Sequence, residues 1–288
     1  MQTICSLCLN EASLQQSHII PDFILKWYKK TQQGPLRNSQ NPNCRIQDYL
    51  KAYLLCNTCE VKISQWENPF CEKIFKPYQD NKLECQKVQY ANWMLKFCVS
   101  ISWRVLSYIE ISHSTQHLSE YQAKFTQQAL LKWKNFLFDK EHHPGIFEQH
   151  LILLDTVIPS DKQQSRFLNR YILTSCDYDL VAIEEKTAFV YVKFFKFIII
   201  GLICVEQKSD YAINKIHLNK GNIQVPMDYK MPATIWKYIN SRADLLQASK
   251  EELSKKQSEL IENHICKNQH DFIKSCAFEA LFFDTCND

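Results

Sequence analysis

The stretch CSLCLNEASLQQSHIIPDFILKW, residues 5–27, decides how the fold of this chain can be interpreted. It opens on the CxxC pair Cys5 and Cys8, and a second pair, Cys56 and Cys59, follows in YLLCNTCE. Two thiolates at this spacing can both reach one tetrahedral Zn²⁺, and a second pair from a distant segment completes a four-cysteine site. The sequence therefore predicts a structural zinc site.

Two other interpretations of the cysteines are weaker. Unrelated buried cysteines would not explain two identical spacings, and a redox CxxC would need only one pair. The insert between the pairs, residues 9–55, is longer than in a compact zinc ribbon, so it must fold between them. A four-cysteine site is closed, which leaves His18 outside it. His18 can then be a core histidine or a base that takes a proton from water.

The composition is typical of a globular protein. The chain has 288 residues, of which 45% are hydrophobic, and a net charge of +3 is too small to indicate a nucleic-acid-binding protein by itself. The odd count of 13 cysteines and the lack of an apolar leader favour reduced thiols and the cytoplasm. The longest apolar run, residues 197–205, is too short for a membrane helix and predicts a buried strand.

The fold class predicted is α+β. A small zinc-stapled module, residues 1–80, precedes a larger mixed region, residues 81–288, with helices and an antiparallel sheet. In that region we expect a helical hairpin over 90–138, a sheet over 150–225 and C-terminal helices over 232–284. The runs LILLDTVI, RYILTSC, LVAIEE, AFVYVKFF and FIIIGLICV are the expected strands.

One pair in the helical hairpin has two interpretations. Trp103 and Arg104, in SISWR, can be a functional pair, or they can pack in the core with the arginine in a buried or interhelical salt bridge. Helices of this kind usually use amphipathic residues in the second way. The prediction is therefore core packing.

Together, CSLC, SHIIPDFILKW and YLLCNTCE resemble the HNH (ββα-metal) endonucleases, in the subset tied by two CxxC pairs. SHIIP matches the histidine, two hydrophobes and proline of that family, and LLCNTCE matches its leucine and cysteine pair ahead of a helix. The resemblance covers about residues 5–75. SISWR is similar to a helical SIxWR segment of bacterial proteins known only as HNH-like.

The resemblance implies a site and a mechanism. His18 stands where the family has its general base, which deprotonates a water for attack on a phosphodiester. One divalent cation, Mg²⁺ or Mn²⁺, would stabilise the leaving oxygen. Its ligands would come from the positions of Ser17 and Glu60. The family has aspartate or histidine at the first position and asparagine or histidine at the second.

These two positions depart from the family pattern, and two explanations stay open. Ser17 is a poor Mg²⁺ ligand, whereas Glu60 is a hard carboxylate that binds Mg²⁺ well. Either the carboxylate has moved across the site or the metal site has decayed. Asp48 is the best placed candidate for a supporting or metal role in the loop before the second cysteine pair, although Asp and Asn are ordinary turn residues in such loops.

A local basic surface is also predicted around the module. Phosphate contacts need such a surface, although ordinary solvated lysines and arginines give the same count. The candidate nucleic-acid-binding residues are Lys26, Lys30, Arg37, Arg45 and Lys62.

Two functions therefore compete. The first is a metal-dependent HNH-type endonuclease acting on DNA, in a bacterial defence or mobile-element setting. The second is a catalytically inactive HNH-like zinc-finger module that binds nucleic acid or protein. In either case, residues 81–288 would select the substrate or contact a protein partner or a second copy of the chain, and no membrane partner is expected.

Overall fold

The computed structural model describes residues 3–31, 36–37, 42–46, 50–80, 83, 87–112, 114–157, 164–206, 211, 215–225 and 231–285. These residues form a mixed α+β structure, as the sequence predicts. The helices are α1 (Asp22–Thr31), α2 (Asn57–Phe70), a π-helical turn (Cys71–Phe75), α3 (Lys76–Gln79), α4 (Trp93–Ile111), α5 (Glu120–Leu137), α6 (Leu168–Thr174), α7 (Ala233–Glu251), α8 (Lys255–Lys267), α9 (Gln269–Ile273) and α10 (Cys276–Thr285). The strands are β1 (Leu14–His18), β2 (Leu36–Arg37), β3 (Arg45–Ile46), β4 (Lys51–Cys56), β5 (Lys87–Ala91), β6 (Gln149–Leu153), β7 (Cys176–Ile183), β8 (Thr187–Phe194), β9 (Phe197–Cys204) and β10 (Lys220–Gln224).

The N-terminal part is built on an antiparallel ladder of β1 and β4 followed by α2. Leu14 pairs with Cys56 and His18 pairs with Lys51, with an irregularity in the register between Gln15 and Gln16. The second cysteine pair thus lies where β4 ends and α2 begins. The loop expected between α1 and β4 contains a short ladder of β2 and β3.

A four-stranded antiparallel sheet, in the order β6-β9-β8-β7, forms the centre of the larger region. One face packs against α4 and α5, and the other against α6 and α7. Because both faces are covered, β9 is buried at every position, which explains its continuous apolar sequence. Gly201 lets α4 approach closely, since a Cβ there would lie 2.7 Å from the Ser102 Oγ.

Two details of the predicted sheet are wrong. RYILTSC was expected as a strand, but residues 168–174 form α6, whose residues Leu168, Tyr171 and Ile172 are buried at helical spacing. The end of the expected sheet, β10, pairs with β5 in a separate ladder. Short apolar runs fit a strand and a buried helix equally well, so tertiary contacts decide between them.

The predicted helical hairpin is formed by α4 and α5, which pack together. The C-terminal helices are also present. The first 80 residues share one hydrophobic cluster with the sheet: Trp27 lies 4.9 Å from Phe195 between ring centroids, and Phe70 lies 5.6 Å from Phe197. The division of the chain into a module of residues 1–80 and a region of residues 81–288 stays a prediction.

Candidate metal centre and the surroundings of His18

The two CxxC pairs meet in space. The four thiol sulfurs of Cys5, Cys8, Cys56 and Cys59 all lie within 4.8 Å of one another, and Cys8 Sγ is 3.8 Å from Cys56 Sγ. A tetrahedron with Zn–S bonds of about 2.3 Å requires sulfur separations of about 3.8 Å. The cluster is compatible with a structural zinc ion. In the described ranges it is the one group of three or more such ligands close enough to hold a metal.

Local backbone geometry forms the cluster. Cys5 lies in a tight turn in which Leu9 adopts a φ of 62° and donates its N–H to the Cys5 carbonyl at 2.8 Å. The Ser6 N–H donates to the Leu54 carbonyl at 3.0 Å, which ties this turn to β4. Cys56 donates its backbone N–H to Cys5 Sγ at 3.3 Å. Both pairs are therefore positioned by hydrogen bonds of the backbone.

The thiols differ in how easily they lose a proton. Burial acts to raise the pKa of Cys5, but hydrogen bonds with the backbone of Cys8, Cys56 and Leu7 outweigh it, and the pKa is lowered. Burial raises the pKa of Cys59, and the neighbouring thiols add to this effect. Binding of a cation here would therefore release protons.

His18 lies at the opposite end of the β1–β4 ladder from the cysteines. Leu14, which pairs with Cys56, precedes it by four residues, a rise of about 13 Å along the strand. The side chain of His18 is 20% exposed, and its Nε2 lies 3.6 Å from Oδ1 of Asp22 in the first turn of α1. The other Asp22 oxygen accepts from Lys26 Nζ at 2.6 Å. His18 thus faces a carboxylate at the protein surface.

Sequence reasoning missed Asp22. The signal was present in SHIIPD: Pro21 favours a helix start, and Asp22 follows His18 by four residues. The two residues between His18 and Pro21, Ile19 and Ile20, are buried and turn the chain back. This turn brings the carboxylate to the imidazole.

Ser17 is not available to a cation. Its side chain is 2% exposed, and its Oγ accepts the Leu55 backbone N–H at 3.2 Å. Leu54 has no Cα partner in β1 at the register irregularity. The hydroxyl therefore completes the hydrogen bonding of the ladder.

Glu60 lies in the first turn of α2, directly after Cys59. Its Oε1 is buried and has no hydrogen-bond partner among the residues that the structure describes. A buried carboxylate oxygen without a donor is costly, and a bound cation would satisfy it. Within the same residues, no hydrogen bond or ion pair joins Glu60 to His18.

Arg104 and Glu67 lie beside His18. Arg104 Nη1 donates to the His18 carbonyl at 3.0 Å, and Nη2 donates to Glu67 Oε1 at 2.6 Å. Arg104 is 2% exposed, and Trp103 beside it is buried as well. The predicted core packing of this pair, with the arginine in an interhelical salt bridge, is confirmed.

The predicted phosphate-binding residues have different surroundings. Lys26 pairs with Asp22, and Lys62 pairs with Asp139 at 3.2 Å. The Arg37 guanidinium donates to the Pro42 carbonyl and to Gln257, and burial lowers its pKa. Lys26, Lys30 and Arg45 are exposed, and of these Lys26 is the one paired with Asp22. Asp48, the candidate supporting acid, lies outside the described residues.

A cavity of about 380 Å³ lies between the start of β7 and α7. Two acidic residues, Asp177 and Glu252, line it, and the Asp177 carboxylate accepts from Arg242 with both oxygens at 2.7 Å. Its oxygens also accept from the Tyr171 hydroxyl and the Tyr178 backbone N–H, each at 2.9 Å. The Asp177 carboxylate is therefore a structural part of the wall, because its oxygens already accept hydrogen bonds from four groups of the protein.

No family model, no curated protein and no solved structure matches this chain. In the described ranges, no helix has both the length and the apolar character needed to span a bilayer.

Proposed function

We propose that residues 1–80 form an HNH-type module that hydrolyses phosphodiester bonds in DNA, with His18 as the general base and a structural zinc ion on the four cysteines. The observation that supports this most is the position of His18. His18 is partly exposed at the end of β1, and its Nε2 lies 3.6 Å from the Asp22 carboxylate. The cysteine cluster lies at the other end of the same ladder, where β4 meets α2. The protein would act in the cytoplasm.

The chemistry assigned to this chain's residues is proton transfer. His18 takes a proton from a water, the water oxygen forms a bond to phosphorus, and the bond from phosphorus to the 3′ oxygen breaks. The Asp22 carboxylate stabilises the imidazolium that results, because opposite charges attract most where water is partly excluded. His18 and Asp22 together therefore provide the base.

A divalent cation fits this proposal in part. Ser17 does not fit, because its hydroxyl is buried and bonded to Leu55. Glu60 does fit, because its buried Oε1 has no donor within the described residues. Glu60 would hold Mg²⁺ or Mn²⁺, which when bound would stabilise negative charge on the phosphate and the leaving oxygen.

The direct test is plasmid cleavage by the purified zinc-loaded protein with Mg²⁺ or Mn²⁺. His18→Ala should abolish cleavage while zinc content and thermal stability stay unchanged. Asp22→Asn should lower the cleavage rate, and Glu60→Gln should weaken the dependence on the divalent cation. His142→Ala, at an exposed histidine in a loop, is the matched control and should cleave like the wild type. Equal cleavage by His18→Ala would contradict the assigned base.

The burial of Ser17 favours a second candidate function, a catalytically inactive zinc module that binds nucleic acid or protein. On this alternative, the protein would bind a fluorescent DNA duplex, or a protein partner through residues 81–288, without cleaving DNA under any divalent cation. Substitution of the exposed Lys30 and Arg45 would then weaken DNA binding and flatten its salt dependence. DNA binding together with His18-dependent cleavage would exclude this alternative.

A further inference from the structure

Arg104 makes three directed contacts from the buried helix α4. Nη1 donates to the His18 carbonyl at 3.0 Å, Nη2 to Glu67 Oε1 at 2.6 Å, and Nε to the Ser100 carbonyl at 3.4 Å. The guanidinium is planar and rigid, so three contacts fix its position. α4 and α2 are thereby joined to the end of β1.

The contact to His18 fixes one peptide unit. Arg104 holds the carbonyl of the peptide between His18 and Ile19, and the N–H of the same peptide donates to the Leu50 carbonyl at 3.1 Å. Both polar atoms of this planar unit therefore have partners on opposite sides. Ile19 is fully buried, which prevents the chain beyond it from shifting. The backbone that carries the His18 side chain cannot rotate without breaking these contacts.

Stability alone does not account for this arrangement. The side chain of Arg104 is 3% exposed and that of Glu67 is 17% exposed. Burying such a pair removes two charges from water, and well-packed apolar residues of similar volume often stabilise a protein as well or better. What an apolar pair cannot provide is a directed hydrogen bond to a backbone carbonyl.

We propose that Arg104, held in place by Glu67, is a positioning residue for His18. It fixes the His18–Ile19 peptide and thereby the direction of the imidazole towards its substrate. This inference rests on the proposed function only where it concerns catalysis. The position of the imidazole can be measured whether or not the protein cuts DNA.

The experiment compares three variants with a matched control. Arg104→Met removes the hydrogen bonds and the charge, Arg104→Lys keeps the charge without the planar group, and Glu67→Gln keeps an acceptor oxygen without the charge. Arg242→Met is the control, because it also removes a partly buried arginine from a carboxylate, that of Asp177, at a site remote from β1. Zinc content and the thermal transition are measured for each.

Two readouts separate positioning from folding. The first is the ring signal of His18 in NMR spectra of histidine-labelled protein, assigned through His18→Ala. The second is the kinetics of DNA cleavage. Arg104→Met and Arg104→Lys should shift the His18 signal and lower kcat about 100-fold, since a displacement of about 1 Å can have that effect. KM should change by less than about twofold. Glu67→Gln should show smaller changes of the same kind, and Arg242→Met should show neither.

The outcomes distinguish the two proposals. An unchanged His18 signal in folded Arg104→Lys and Glu67→Gln would overturn the positioning role. A shifted His18 signal in a protein that never cleaves DNA would support the positioning role and contradict the nuclease. Equal loss of kcat in Arg242→Met would show that destabilisation alone causes the loss, and would also overturn the role. If Arg104→Met does not fold, the other two variants decide.

Discussion

At the residue scale, Ser17 has a structural role at a position where the resemblance implies a metal ligand. The ladder of β1 and β4 is irregular beside this residue, and Ser17 Oγ accepts the Leu55 N–H. Serine has the short hydroxyl that this position needs. Aspartate would bring a charge into a site that is 2% exposed.

We expect Ser17→Ala to lower the free energy of unfolding by about 1–3 kcal/mol, because the buried Leu55 N–H loses its acceptor. The measurement is urea unfolding of the zinc-loaded protein. The metal dependence of any DNA cleavage should not change, because Ser17 is not a ligand. Gln15→Ala, at an exposed position in the same strand, is the control and should unfold like the wild type. Altered metal affinity in Ser17→Ala would return this residue to the metal site.

A second residue, Lys193, has its ammonium group inside the protein. Its Nζ donates to the carbonyls of Ile172, Ser175 and Phe195 and to the Ser175 hydroxyl, at 3.0–3.1 Å. Ile172 and Ser175 lie at the C-terminal end of α6, where a positive charge complements the helix dipole. Burial nevertheless lowers the pKa of Lys193 to about 7.

This pKa makes stability depend on pH. An unfolded lysine keeps its proton until about pH 10.4, so between pH 7 and that value the unfolded chain binds more protons than the folded one. The free energy of unfolding should therefore rise with pH, by about 1 kcal/mol per unit between pH 7.5 and 8.5. Urea unfolding of Lys193→Gln, which keeps two donors but does not titrate, should lack this contribution. Identical pH slopes in the two zinc-loaded proteins would contradict the prediction.

At the element scale, the start of α5 joins a helix to a strand turn. Ser119 and Gln122 form a capping box, with reciprocal hydrogen bonds of 3.1 and 2.9 Å. The Gln122 amide also donates to the carbonyls of Glu184 and Thr187, which flank the turn between β7 and β8. The Ser119 hydroxyl donates to the Glu185 carbonyl of the same turn at 2.7 Å. Both side chains therefore cap the helix and contact the hairpin, Gln122 through two hydrogen bonds and Ser119 through one.

Gln122→Ala should consequently cost more than the loss of the cap alone. Three backbone groups lose their partner, each at about 1 kcal/mol, so we expect a loss of about 3 kcal/mol. Ser119→Ala should cost about 1 kcal/mol, the usual value for an N-cap. Chemical denaturation measures both, and Gln128→Ala, on the exposed side of the same helix, is the control. If both substitutions had the same effect, the two hydrogen bonds from Gln122 to the hairpin would contribute no more than the one exposed bond from Ser119 to Glu185.

The elements that sequence predicts well are those with a complete local pattern. Helix α5 has its capping box and apolar spacing, and β9 has an uninterrupted apolar run. Helix α6 was not predicted, because its supporting contacts are distant in sequence: the Asp284 carboxylate accepts the N–H groups of Asn169 and Arg170, and Lys193 contacts its other end. The pairing of β10 with β5 was missed for the same reason.

At the scale of the whole molecule, the candidate site also combines features that depend on local sequence with features that depend on contacts distant in sequence. The cysteine cluster could be predicted because its chemistry depends on residue type and spacing. The surroundings of His18 could be predicted only in part, because Glu67 and Arg104 belong to α2 and α4 and reach β1 only in the folded chain. Arg104 was predicted to be buried in a salt bridge, but its contact to His18 was not.

The N-terminal part also supports the central sheet. The turn between β8 and β9 contains Phe195 at a φ of 51°, a conformation that costs energy for an aromatic residue. Trp27 and Tyr28 of α1 pack on its ring, with the Tyr28 ring stacked at a centroid distance of 5.9 Å. A strained turn of the sheet is thus packed against the zinc-bearing part.

This shared core predicts how the protein responds to zinc removal. Chelation, or Cys59→Ser, should remove one zinc per chain and lower the thermal transition of the whole protein by roughly 10 °C, because the energy of zinc binding contributes to folding. Elemental analysis measures the zinc, and far-UV circular dichroism and tryptophan fluorescence should report the same single transition. Cys44→Ser, at an exposed cysteine outside the cluster, should keep its zinc and its transition. Two separate transitions would instead show that residues 1–80 unfold independently of the sheet, and that the contacts of Trp27 and Tyr28 with Phe195 do not couple them.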